Sequence, residues 1–208
     1  MYSTMNASQT ISLLGYALLG LIHQKPASGY DLRRTFSTTP MGSFSDSPGA
    51  IYPALRRLEA AALIRGRIEK SAGLRQRQTF HITAPGLAAL QQWLASPITR
   101  LDIVRHMDAL MLRFAFMDGV AGPVRSHDFL SRFAEDLDTY VQELHTYFDP
   151  HHSAMPLSAR LALESGIRGY EAQRAWARTA VVAYARTLKG RRPTRQRKTR
   201  QEKRGVPS

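Results

Sequence analysis

Residues 45–64, SDSPGAIYPALRRLEAAALI, put a proline inside what otherwise reads as a helix. Ser47 and Pro48 have the chemistry of an N-cap and a first helical residue. Ile51, Leu55, Leu58 and Ala62 then recur at helical spacing, which predicts a helix from about Ser47 to Ala62. With those four turned inward, the opposite face carries Gly49, Pro53, Arg56, Arg57 and Ala60, and Tyr52 lies on the flank. A proline costs roughly 3 kcal/mol in a straight helix interior. Pro53 stands only one turn in and on the outer side, where the cost is smaller. A face that is small at its start and basic further on fits close approach to a groove floor, with Arg56 and Arg57 on the flanking phosphates.

Working outward, Ile11, Leu14, Leu18, Leu21 and Ile22 predict a first helix. Pro26 breaks it, and Ser28 with Asp31 forms a candidate capping box for a second helix running to about Ser37. On the other side of the opening stretch, Ile64, Ile68, Phe80 and Ile82 alternate with Arg65, Arg67, Arg77 and His81 around a turn at Ser71–Gly73. That pattern predicts a β-hairpin, and Leu87, Leu90 and Leu94 predict a fourth helix from Pro85. The order of three helices, a two-stranded ribbon and a helix is that of a winged helix-turn-helix, with the third helix as reader and the hairpin as wing. Tyr52 is placed either to donate its hydroxyl to a phosphate or to pack on the flank of its helix. Arg75 and Arg77 in the wing are read as lying over phosphates or entering a minor groove.

Charge divides the chain in the same way. The 208 residues carry a net charge of +13, split as +6 over residues 1–96, −1 over 97–188 and +8 over 189–208. A basic head on a neutral body suits a polyanionic partner. The tail from Lys189, KGRRPTRQRKTRQEKRG, has the composition of a disordered segment. There is no cysteine, which suits a reducing cytoplasm, and no apolar run reaches membrane-spanning length.

Beyond Pro97 the pattern is wholly helical. Met107, Leu110, Met111, Phe114 and Met117 form one stripe, and Leu130, Phe133, Leu137, Val141, Leu144 and Phe148 another. Leu163, Ile167, Tyr170, Ala177, Val181, Tyr184 and Leu188 follow in steps of four and three, with Arg174 the one polar intruder. This heptad seam has no evident partner within one protomer and is read as a homodimer contact. Trp93, Met107, Met111, Phe114 and Trp176 are candidates to line a cavity for a small aromatic or hydrophobic effector. His145, His151 and His152 lack the cysteine or ordered carboxylate spacing of a metal centre, so no metal is expected. No cofactor motif, nucleophile elbow or catalytic carboxylate pair stands out, and an enzyme is not expected.

Three blocks, LLGLIHQKPASGYDLRRTF (18–36), SPGAIYPALRRLEAAALI (47–64) and TFHITAPG (79–86), resemble the signature blocks of the PadR family of winged-helix transcriptional regulators. The likeness covers about residues 11–96, and residues 100–188 resemble, less specifically, the helical dimerisation region of the longer PadR-like proteins. The resemblance implies a mainly α protein with a winged helix-turn-helix over 1–96, a helical dimerisation and effector domain over 97–188 and a basic tail over 189–208. It further implies a homodimeric regulator, here taken as a repressor, that binds double-stranded DNA at an inverted repeat and responds to a small effector. Ser45, Ser47, Gly49, Tyr52, Arg56, Arg57, Arg75 and Arg77 are the expected DNA-contacting residues. A sequence-neutral architectural binder, with the tail as its main contact, remains the alternative.

Overall fold

The computed structural model describes residues 11–41, 48–69 and 77–190. Among the described residues the chain forms seven α-helices and three strands: α1 (Leu13–Gln24), β1 (Ala27–Ser28), α2 (Gly29–Thr38), α3 (Ile51–Ala60), β2 (Ile64–Glu69), β3 (Arg77–Ile82), α4 (Ala84–Ala95), α5 (Arg100–Arg105), α6 (Met107–His151) and α7 (Leu157–Gly190). The fold is mainly helical, a winged helix followed by a helical body.

Local chemistry sets most boundaries of the winged helix. The Ser12 hydroxyl accepts from Gly15 N at the start of α1. At α2 the Ser28 hydroxyl accepts from Asp31 N, and the Asp31 carboxylate accepts from Ser28 N, so the expected capping box is formed. Ala17, Leu18, Leu19 and Ile22 of α1 are buried at the centre, against Leu32 and Phe36 of α2, Ile51, Leu55 and Leu58 of α3, and Leu90 of α4.

The segment Ile82–Gly86 locks the wing to the end of α3. Thr83 N donates to Leu63 O at 3.1 Å, and the Thr83 hydroxyl lies 2.7 Å from Ala62 O while accepting from Gly86 N. A Cβ on Gly86 would come to 2.0 Å from Leu63 O, so only glycine lets α4 start this close to the chain leaving α3. At that exit Ala62 N donates to Glu59 O and Leu63 N to Leu58 O, each at 2.9 Å. This is a Schellman ending, and it puts Ala62 at φ 57°, in the left-handed region.

The third helix departs from expectation at both ends. Pro48–Ala50 form a 3-10 turn, and α3 proper begins at Ile51 with no side-chain cap. The expected cap, Ser47, lies outside the described residues. Pro53 is therefore the third helical residue, and its missing N–H is one of the donors that a helix start leaves without an intrahelical acceptor. That answers the question the proline poses: no backbone bond of α3 is lost. At the other end Ala62 is not part of the inward stripe but exposed beyond the helix, and Ala54 takes a place in the buried face.

The hairpin forms with Ile64 opposite Ile82 and Glu69 opposite Arg77. The two-residue β1 adds a third antiparallel strand on the far side of β3, pairing Ala27 with Phe80 and Ser28 with Thr79. Ile64 and Phe80 are buried, but Ile68, expected on the same inner face, is 69% exposed because the ribbon has run beyond the core by that point.

In the body the first two apolar stripes lie on one element, α6, interrupted at Gly122 (φ 82°, ψ 166°). Such a conformation is open to glycine alone, and Pro123 restarts the helix. Pro123 has no N–H for the carbonyl four residues earlier, and that carbonyl, Gly119 O, instead meets His23 Nε2 of α1 at 3.2 Å. The Ser126 hydroxyl donates to Asp118 across the break, and the Tyr184 hydroxyl of α7 donates to the other carboxylate oxygen of Asp118 at 2.8 Å.

The α7 seam has a partner within the protomer, contrary to the sequence expectation. Tyr170 packs edge-on against Tyr140 of α6 and Tyr184 against Phe114 of α6; Ile167 and Ala177 are buried, while Leu163, Val181 and Leu188 are half-buried. Arg174, the polar intruder, meets Asp138 of α6 at 3.7 Å, where Arg178 also donates at 2.7 Å. A four-three repeat reports that a face is covered, and here α6 covers it.

Candidate nucleic-acid interface

The head positions α3 by committing one face to the core. Ile51, Ala54, Leu55 and Leu58 are buried, and the turn of the helix then leaves Tyr52, Arg56 and Arg57 exposed on the other side, with Gly49 exposed just ahead of them. Fully burying side chains of this size gives roughly 1.5–3 kcal/mol each, which fixes the rotation of the helix firmly. Pro53 is half-buried rather than fully outward. Tyr52 is 44% exposed, with its ring lying over Gly29 at the start of α2.

Next to α3, the exposed Arg65 and Arg67 of β2 alternate with Gly66, whose N–H donates to Glu59 Oε1 at 2.9 Å. That bond ties the wing's first strand to the last turn of α3. The backbone that carries Arg65 and Arg67 is thereby tied to the helix that carries Arg56 and Arg57. Arg65 and Arg67 stood out in the sequence only through their alternation with apolar residues and were not among the expected contacts. Tyr30 of α2, which the sequence suggests is structural, is 66% exposed.

Of the expected contacts, Gly49, Tyr52, Arg56 and Arg57 are each exposed. Ser45, Ser47 and Arg75 lie outside the described residues, and Arg77 is described only as the β3 residue paired with Glu69.

The expected effector-lining residues pack against neighbouring side chains of the fold. Trp93 stacks on Tyr16 at 4.4 Å, and Phe114 packs edge-on against Trp176 at 5.8 Å. Met111 accepts a bond from Gln173, and Met107 packs on the core. A cavity of about 510 Å³ lies instead where the head meets α6 on both sides of the Gly122 break. Its apolar surface comes from Leu94, Ile98, Met117, Val120 and Phe129, and its polar rim from Gln91, Arg125, Asp128 and Arg132. Arg125, Asp128 and Arg132 recur at spacings of three and four on α6, a signal the sequence did contain.

Arg113, buried behind this cavity, donates to Leu94 O at 3.2 Å and to Ser96 O, and its guanidinium lies 5.2 Å from the centre of the Phe129 ring. A cation at the last carbonyls of α4 is favourably placed in the helix field. Burial lowers its pKa, with Asp102 acting in the opposite direction.

Among the described residues no three metal-ligating side chains converge. His145 meets Glu171 of α7 at 2.9 Å, and no helix is long and apolar enough to cross a membrane.

Residues 18–92 match the model of the Transcriptional regulator PadR-like family. Comparison with curated proteins returns no match. Among solved structures, Bacillus subtilis PadR in complex with operator DNA is 22% identical, over 83% of this chain and 97% of that one, with a TM-score of 0.38. A PadR-like transcriptional regulator from Bacillus cereus is 21% identical over 88% and 99%, with a TM-score of 0.37. Bacillus subtilis PadR in complex with p-coumaric acid is 20% identical over 86% and 99%, with a TM-score of 0.38.

Proposed function

We propose that this chain, PadR-like over residues 18–92, is a homodimeric transcriptional repressor that holds an inverted-repeat operator through α3 and the wing and is released by a small aromatic or hydrophobic effector. The observation that carries the reading is the division of α3, whose apolar side is taken up by the core while Tyr52, Arg56 and Arg57 stand exposed beside Arg65 and Arg67 of the wing. Residues 1–96 are then the DNA-binding domain, 97–188 the dimerisation and effector domain and 189–208 a basic tail, in a non-enzymatic, cytoplasmic protein. Among the contacts, Arg56 and Arg57 serve phosphates, and Gly49 allows close approach to the groove floor.

Dimerisation is assigned to the body. Since α6 occupies the seam side of α7, the contact falls to its outer side and to α5, where Leu101, Val104, Leu157, Leu161 and Val182 are exposed. The seam residues act beneath that contact by holding α7 on α6. The cavity at the head–body junction supports the effector reading, because a molecule seated there touches both Leu94 of the head and Phe129 of α6.

Selection of bound sequences from random duplexes by the full chain tests the proposal. Enrichment of an inverted repeat is expected, with half-sites about one or two helical turns apart. Enrichment of single half-sites would contradict the symmetric dimer, and no enrichment at all would favour the sequence-neutral architectural protein.

A further inference from the structure

We infer that Gly29 is a positioning residue for DNA binding: the bare backbone at the start of α2 is the seat of the Tyr52 ring, and it holds the Tyr52 hydroxyl where it meets the nucleic acid. The inference rests on the reading of α3 as the DNA-contacting helix. A Cβ on Gly29 would lie 2.7 Å from Tyr52 Cε1 and 3.3 Å from Cδ1. The first distance is below any real contact of two carbons, and Cε1 is bonded to the ring carbon that carries the hydroxyl. A methyl at position 29 therefore crowds the ring edge beside the hydroxyl, and the ring must turn or swing away from Gly29.

The direction of the yielding is also fixed. On its inner side the same Cβ would be 3.5 Å from Leu55 Cδ1, an ordinary packing distance, so the core has no need to move. Tyr52 is 44% exposed and free to swing outward. Gly29 itself is helical, follows an intact capping box and has a conformation that alanine adopts readily, so helix stability alone would favour alanine here. Glycine at this position is unfavourable for α2 and favourable for Tyr52. Fold stability and DNA affinity should thus respond to Gly29→Ala in opposite senses, which a merely structural glycine would not do.

The test uses the full chain, a labelled duplex carrying the sequence selected by the wild-type protein, and four variants: Tyr52→Phe, Tyr52→Ala, Gly29→Ala and the double variant Gly29→Ala/Tyr52→Ala. Loss of a hydrogen bond to a charged acceptor corresponds to a loss of affinity on the order of tenfold. That loss is expected for Tyr52→Phe, Tyr52→Ala and Gly29→Ala alike, with the salt dependence unchanged because no cation is removed. Gly29→Ala is expected to melt no lower than wild type and to add no further loss on top of Tyr52→Ala. In the free protein, 3-fluorotyrosine at position 52 should show a moved fluorine resonance when Gly29 is replaced. If Tyr52→Ala binds as wild type, the contact role of Tyr52 fails and the inference with it. If Tyr52→Ala weakens binding while Gly29→Ala does not, or if Gly29→Ala costs as much without the tyrosine as with it, the reader helix stands and the inference alone is overturned. A Gly29→Ala protein that melts well below wild type, or an unmoved fluorine resonance, overturns it as well.

Discussion

Phe116 of α6 occupies the space that a side chain at Gly20 of α1 would need: a Cβ there would come to 2.6 Å from three atoms of the ring. Phe116 is buried, so the ring has little freedom to retreat. Here α1 of the winged helix packs directly on α6 of the body. Gly20→Ala is expected to destabilise the protein by about 1–3 kcal/mol, the range for overpacking a filled core. Chemical denaturation measures it, and Phe116→Leu should recover part of the loss in the Gly20→Ala background. Equal melting of Gly20→Ala and wild type would show that head and body are not packed through this pair.

Ala62 holds a left-handed conformation at the end of α3, φ 57°, which costs a residue with a Cβ about 1–2 kcal/mol relative to glycine. Ala62→Gly should therefore stabilise the protein by about 1 kcal/mol, offset in part by the greater freedom of glycine in the unfolded chain. The Schellman bonds of Ala62 and Leu63 remain available to it. A lower melting temperature for Ala62→Gly would mean that this ending is not the one the chain adopts.

Tyr184 ties α7 to the broken helix through Asp118, and burial first, then the bond to Asp118, raises its pKa above the ordinary phenol value. A group whose folded pKa is raised contributes stability that is complete below its unfolded pKa, about 10 for tyrosine, and is lost as pH climbs through the folded value. Tyr184→Phe is thus expected to cost about 1 kcal/mol at neutral pH. The difference from wild type should shrink only above about pH 10. A difference that already shrinks between pH 7 and 9 would contradict the bond.

The parts of the fold legible in the sequence were those set by chemistry within a few residues. Ser28 and Asp31 announce the start of α2, because cap residues act on backbone groups three positions away, whereas α4 was legible only through Leu87, Leu90 and Leu94 and its Thr83 cap was not. The start of α3 was misread since Ser47 and Pro48 suit an N-cap, whereas the chain takes a 3-10 turn there and enters the helix at Ile51. The strand β1 is two residues long and exists only through its pairing with β3, which no local pattern records. In the body, periodicity showed which side of α7 is covered and not what covers it; Tyr140, Phe114 and Asp138 of α6 supply the answer. For the same reason the sequence singled out Trp93, Phe114 and Trp176, which pack on other rings, and gave no sign of the cavity that Ile98 and Phe129, distant in sequence, help to bound.

On the proposed function, recognition resides in α3 and the wing rather than in the basic tail. Titrating a chain ended after Gly190 against the selected inverted repeat and against a scrambled duplex, at matched salt, tests it most directly. Specific binding should survive, with a preference for the operator of about 10³-fold or more. Arg56→Ala in that chain should weaken both duplexes and lower the salt slope by about one counterion. A shortened chain that binds operator and scrambled duplex equally would contradict the account, leaving the tail as the nucleic-acid contact.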